Sequence, residues 1–200
     1  MKVPDSLATL MPLIKKLVFD SLPEKLCYHN LEHTMQVVAF SLQLSAIAGL
    51  DAREEELLYA AAVLHDSGYG KKYHANEGVG AILATKVLPD YGFSKAEIEQ
   101  VQNMILATNL VISPRNNLEM LLADADMAYL GRDDFFIWSD RLYHEWKAYY
   151  VYDDTPENWL RSQIEFLQRH KYLTPEAFTL FESGKQKNLH RLKSLKKWPF

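Results

Sequence analysis

Leu57-Leu58-Tyr59-Ala60-Ala61-Ala62-Val63-Leu64-His65-Asp66-Ser67-Gly68 runs eight apolar residues straight into a histidine, an acid and a glycine. A helix that is apolar on every face is buried on every face. The stretch therefore predicts a central helix with other helices packed around it. Asp51 is an N-cap type, followed by Arg53 to Glu56 in the first turn, and Gly68 and Gly70 are expected to end the element. On either side, apolar residues recur every three or four positions. The spacing predicts helices over 7–22, 29–49 (with Gly49 as C-cap), 77–88, 94–108, 117–130, 133–150, 156–169 and 175–195. Ser94 and Glu97 fit a capping box, and Thr155-Pro156 and Thr174-Pro175 fit an N-cap followed by proline. No alternating pattern suggests a sheet, and no repeat has a fixed period. With short connections throughout, the expectation is an all-α, single-domain helical bundle over 1–200.

Composition narrows the function. Of 200 residues 48% are hydrophobic and 24% charged, which is ordinary globular usage. Twenty-two basic against 26 acidic side chains leave a net charge of −4, so no global field gathers nucleic acid or an anionic membrane. Neither is expected as a partner, and an anionic ligand must be held locally. Cys27 is the single cysteine, which points to a reducing compartment and an inert buried thiol. An acid and a proline at positions 4–5, and no apolar run near ~20 residues, predict a cytoplasmic chain without signal peptide or membrane span. The basic run 185–197 reads as a solvated helix face. Trp138, Tyr143, Trp146, Tyr149, Tyr150 and Tyr152 read as a packed face rather than a base-stacking surface, and His170 as structural at a helix end.

Chemistry concentrates at three places. His33 shares a helix with apolar neighbours and is expected to point inward, with His29 on the same face one turn earlier. Two histidines so spaced can share a metal, or one can bind metal while the other handles a proton. His65 and Asp66 are neighbours, which on a helix point about 100° apart. They converge only where the helix ends, and Ser67-Gly68 and Gly70 are expected to free the backbone there. Burying both costs several kcal/mol unless a cation compensates, although a His–Asp hydrogen bond without metal is the competing reading. Finally, Asp124 and Asp126 interrupt an apolar run and point to nearly opposite sides of their helix. Periodicity does not choose between them.

Tyr28-His29-Asn30-Leu31-Glu32-His33-Thr34, His65-Asp66-Ser67-Gly68 and Ala125-Asp126 together resemble the H…HD…D pattern of the HD-domain superfamily of metal-dependent phosphohydrolases. The resemblance covers about 26–130; the remainder, about 131–200, looks like the helical C-terminal extension of small uncharacterised HD-domain hydrolases. It implies His33, His65, Asp66 and Asp126 as ligands of one divalent ion, with Mn, Fe, Co, Ni, Zn or Mg all compatible. Tyr28-His29-Asn30 is similar to a segment of cyclic-nucleotide phosphodiesterases, which implies that His29 is a general acid toward the leaving oxygen. Members with two metals carry further histidines downstream. Here Glu77 stands where a histidine often does, and 101–109 offers Thr108 and Asn109, which argues for a single ion. Glu77 or His74 would then hold water or substrate.

The implied activity is hydrolysis of a phosphate ester of a nucleotide or other small phosphorylated metabolite by a metal-activated water. Asp66 orients or deprotonates that water and His29 protonates the leaving group. Lys71 and Lys72, directly after the His-Asp loop, are the nearest cations for the phosphate, with Arg132 and Arg141 further off. The alternative is a non-catalytic nucleotide-sensing or partner-binding module with a structural metal. An HD-type oxygenase would need more iron ligands than the chain offers.

Overall fold

The computed structural model describes residues 3–151 and 155–199, so Tyr152 and the first two residues lie outside the described residues. All regular structure among the described residues is helical, as the apolar spacing requires: α1 (Leu10–Leu17), α2 (Leu31–Ala48), α3 (Ala52–Leu64), α4 (Asn76–Val87), α5 (Lys95–Ala107), α6 (Asn117–Asp126), α7 (Phe135–Ala148), α8 (Pro156–Arg169) and α9 (Pro175–Ser194). These elements fall into two compact units. One comprises Met1–Pro23 and His29–Asp126, the other Glu24–Tyr28 and Met127–Phe200.

The first unit is built around α3. Every residue from Leu57 to Leu64 is buried, and the helix packs on α2 and α5 with α1, α4 and α6 also against it. Its start is fixed by a complete capping box, in which Asp51 accepts from the Arg53 and Glu54 backbones and Glu54 accepts from the Asp51 N–H. Gly49 ends α2 in the left-handed conformation at φ 68°. Several predicted helices are shorter than their apolar spacing suggests, three of them for a visible local reason. The segment 7–22 is broken where Val18 leaves helical geometry (φ −126°, ψ −65°), giving α1 and a 3-10 turn at Phe19–Ser21. α2 starts at Leu31, because Asn30 caps it by accepting the His33 N–H at 3.2 Å. α6 stops at Asp126 and the chain tightens into a 3-10 turn, Met127–Gly131.

The second unit packs an aromatic core. Trp138, Tyr143, Trp159 and Trp198 are buried with Phe135 and Tyr129, and Tyr28 sets its edge 5.7 Å from both Tyr129 and Trp138. Trp138, Tyr143 and Trp146 thus form the expected packed face. Its far end does not: Tyr150 is exposed, and Tyr149 lies under the Lys25 ammonium at 4.1 Å. Thr155 and Thr174 cap α8 and α9 as anticipated. Cys27 is half-buried rather than buried; its Sγ–H donates to the Arg141 carbonyl at 3.1 Å, and burial pushes the thiol up, so it stays protonated and inert.

Part of the basic run departs from the expected solvated face. Lys185 is 1% exposed. Its ammonium donates to the His170 carbonyl at 2.8 Å and pairs with Glu182 at 2.7 Å, which satisfies a charge that burial would otherwise penalise. The same arrangement acts on His170. Burial first, and the Lys185 charge second, pull its imidazole down to about 4 from 6.5. The fold therefore favours neutral His170. Its contribution is fully present above pH 6.5 and is lost as pH falls through about 4, a loss approaching ~3 kcal/mol. Denaturant titrations between pH 7 and 4 should show this loss in the wild type and a smaller one in His170→Asn. Equal slopes would exclude His170 as the source.

Candidate metal centre

α3 delivers its last two polar residues to a single point because the helix stops between them. His65 keeps helical angles (φ −55°, ψ −42°), whereas Asp66 turns out of the helix at φ −100°, ψ 4°. The bend brings His65 Nε2 within 3.1 Å of Asp66 Oδ2. A 3-10 turn, Ser67–Gly70, follows, and Ser67 Oγ donates back to the Leu64 carbonyl at 2.7 Å. The glycines serve a different purpose from the one expected. Neither Gly68 nor Gly70 has positive φ. A Cβ on Gly68 would lie 1.9 Å from the Asn76 carbonyl oxygen, so what matters is the close approach of α4's first residue to the turn.

α2 and α6 complete the cluster. His33, in the first turn of α2, places Nε2 3.4 Å from Asp66 Oδ2 and 3.0 Å from Asp126 Oδ1. Asp126, at the end of α6, also lies 3.8 Å from His65 Nε2. Ligand atoms of His33, His65 and Asp66 sit within 4.8 Å of one another, all buried. Asp124, two residues before Asp126, is buried too, but it is Asp126 whose carboxylate lies 3.0 Å from His33 and 3.8 Å from His65. Geometry thus picks the acid that meets the histidines, where periodicity left two.

The donor set suits a divalent cation. His65 Nδ1 is 2.8 Å from the Ala62 carbonyl; donation there leaves Nε2 of the neutral ring as the electron-pair donor facing the cluster. Both His65 Nε2 and Asp66 Oδ2 are buried, and they face each other at 3.1 Å, with His33 Nε2 3.4 Å from the same carboxylate oxygen. Such atoms are costly to leave unmatched, and mixed imidazole and carboxylate donors match a transition-metal ion. The electrostatics agree. Burial opposes the His65 imidazolium, but the Asp66 carboxylate, its hydrogen bond and Asp126 outweigh burial and push the ring up to about 9. Burial likewise opposes the Asp66 carboxylate, yet His65, His29 and His33 outweigh it and hold Asp66 well below the usual carboxylate range. In the metal-free chain, protonated imidazole supplies the positive charge that the carboxylates require.

His29 is not on the α2 face where helical spacing put it. It precedes the Asn30 cap, outside the helix, and stacks on Tyr69 with ring centroids 4.2 Å apart and planes at 23°. Its centroid is 6.0 Å from that of His33, and its charge contributes to the depression at Asp66. Tyr69 was not singled out by any sequence pattern; its only signal is its place one 3-10 turn after Asp66. Asn76 was equally silent, and its buried Oδ1 has no hydrogen-bond partner among the described residues. Lys71 and Lys72 are exposed just beyond the turn, with both backbone N–H groups donating to the Gly68 carbonyl. Glu77, on α4, accepts from Asn109 Nδ2 at 3.2 Å. His74 is exposed. The more remote cations are engaged within the second unit: Arg132 pairs with Asp134 and Arg141 covers Trp138 at 4.5 Å.

Residues 30–128 match the family model of the HD domain, a span that begins one residue after His29 and contains the whole cluster. No curated protein and no solved structure matches the chain. Among the described residues no helix is long and apolar enough to cross a membrane.

Proposed function

The chain belongs to the HD-domain family through residues 30–128, and on that premise we propose that it hydrolyses a phosphate ester of a nucleotide or another small phosphorylated metabolite. HD domains bind divalent metal and are mostly metal-dependent phosphohydrolases. The observation that carries the reading is the convergence of His33, His65, Asp66 and Asp126 on one point, with His65 Nε2 and Asp66 Oδ2 buried 3.1 Å apart. These four residues would hold the ion. A bound divalent cation supplies Lewis acidity, making water more acidic and neutralising charge on phosphoryl oxygens.

The protein's own groups then divide the proton traffic. Asp66, held ionised by three surrounding histidines, takes a proton from the attacking water as its oxygen bonds to phosphorus. As the phosphorus–oxygen bond to the leaving group breaks, His29 gives its proton to the departing oxygen. Lys71 and Lys72, exposed beside the loop that carries Asp66, offer cations to the phosphate. Glu77, tied to Asn109 rather than accompanied by a histidine, supports a single ion over a pair.

The test is a screen of the chain reconstituted with Mn, Co, Ni, Zn or Mg against phosphate monoesters and diesters. Metal-dependent turnover of at least one ester is expected, abolished by chelation. A stoichiometric metal with no turnover across the panel would replace this reading by a nucleotide-sensing module.

A further inference from the structure

We infer that Tyr69 is a positioning residue that holds His29 in the orientation from which it donates its proton; the inference rests on the hydrolase reading above. His29 sits in a bend ahead of the α2 cap, so no helix fixes its side chain. The near-parallel stack on Tyr69, 4.2 Å between centroids and 23° between planes, restrains the ring's plane. Tyr69 is itself fixed on two sides. Its backbone N–H donates to the Asp66 carbonyl at 3.1 Å, and Tyr73 backs it edge-on, 5.3 Å away at 66°. One short turn therefore sets the distance between the carboxylate that receives a proton and the imidazole that gives one. Stacking also suits the task, because it grips the face of the imidazole while the proton leaves from the edge. A small loss of alignment is costly when the reacting atoms must meet in one geometry.

The inference is tested with Tyr69→Leu, which removes the ring, and Tyr69→Phe, which keeps it. Two ester pairs serve as probes: p-nitrophenyl phosphate and bis(p-nitrophenyl) phosphate against their n-butyl counterparts. A p-nitrophenolate leaves without a proton and a butoxide does not, so only the butyl esters depend on His29. Tyr69→Leu should lower kcat on the butyl ester roughly 30-fold and on the nitrophenyl ester less than about threefold, with metal content unchanged. Tyr69→Phe should restore most of the loss. In the zinc-loaded protein, the His29 ring-proton NMR signals, assigned with His29→Gln, should be shifted upfield by the stack in the wild type and Tyr69→Phe but not in Tyr69→Leu. Equal losses on both esters, loss of metal in Tyr69→Leu, or ring signals that ignore the substitution would overturn the inference. Upfield signals in a wild type that hydrolyses neither ester would instead sink the hydrolase reading, and this inference with it.

Discussion

Asp66→Asn is expected to lose the bound metal and to lower hydrolysis by about a thousandfold or more, with the fold intact. The substitution changes almost no volume, so it separates chemistry from packing. What it removes is the charge that His33, His65 and His29 surround, together with the oxygen 3.1 Å from His65 Nε2. His65→Ala should do the same. It deletes a fully buried ring that the Ala62 carbonyl orients toward the cluster, and it adds a cavity cost of a few kcal/mol. Asp124→Asn is the control: it is as buried as the ligands, but Asp126 is the acid that meets His33 and His65, and the variant should keep its metal. Metal analysis by mass spectrometry, with activity and thermal melts, reads all three. An Asp66→Asn protein with full metal and full turnover would end the assignment of this site. The proton held by His65 adds a pH signature. With its imidazole near 9 in the metal-free state, an incoming cation must displace that proton, so apparent affinity should rise with pH toward about 9 and fall below it.

Gly184→Ala is expected to destabilise the second unit by about 3 kcal/mol, and thereby, for a unit of fewer than 100 residues, to lower its melting temperature by roughly 12–24 °C. Helix propensity alone predicts the opposite sign, since alanine in mid-helix is favoured over glycine by ~1 kcal/mol. Packing decides. A Cβ at Gly184 of α9 would lie 1.8 Å from the Gly131 carbonyl oxygen, and one at Gly131 would lie 2.3 Å from the Phe181 carbonyl oxygen. Both obstacles are backbone atoms, which cannot swing aside as a side-chain tip would. The helix must move off the 3-10 turn, and the Asn188 bonds to the Leu130 and Arg132 carbonyls, at 3.0 and 2.7 Å, move with it. Gly131→Ala should be comparably harmful, and the double substitution less than additive because one separation relieves both clashes. A Gly184→Ala protein that melts at or above the wild-type temperature would show that the two backbones are not pressed together.

Much of this was legible in the residues alone. The all-α class, the burial of Leu57–Leu64, the N-cap at Asp51, the capping box at Ser94, and the proline-led starts of α8 and α9 all follow from local rules. The order His33, His65-Asp66, Asp126 was legible through the family resemblance of those motifs rather than through local rules. The locally determined features depend on neighbours within one turn, and a sequence states its own neighbours. The choice between Asp124 and Asp126, the stack of Tyr69 on His29, the burial of Lys185 and the reason for Gly68 could not be read that way. Helical periodicity gives a side chain a direction around its own axis, but what lies in that direction is set by another segment dozens of residues distant. Only when α2, α3 and α6 pack does Asp126 meet His33, and only when α4 closes on the turn does a missing Cβ become a requirement.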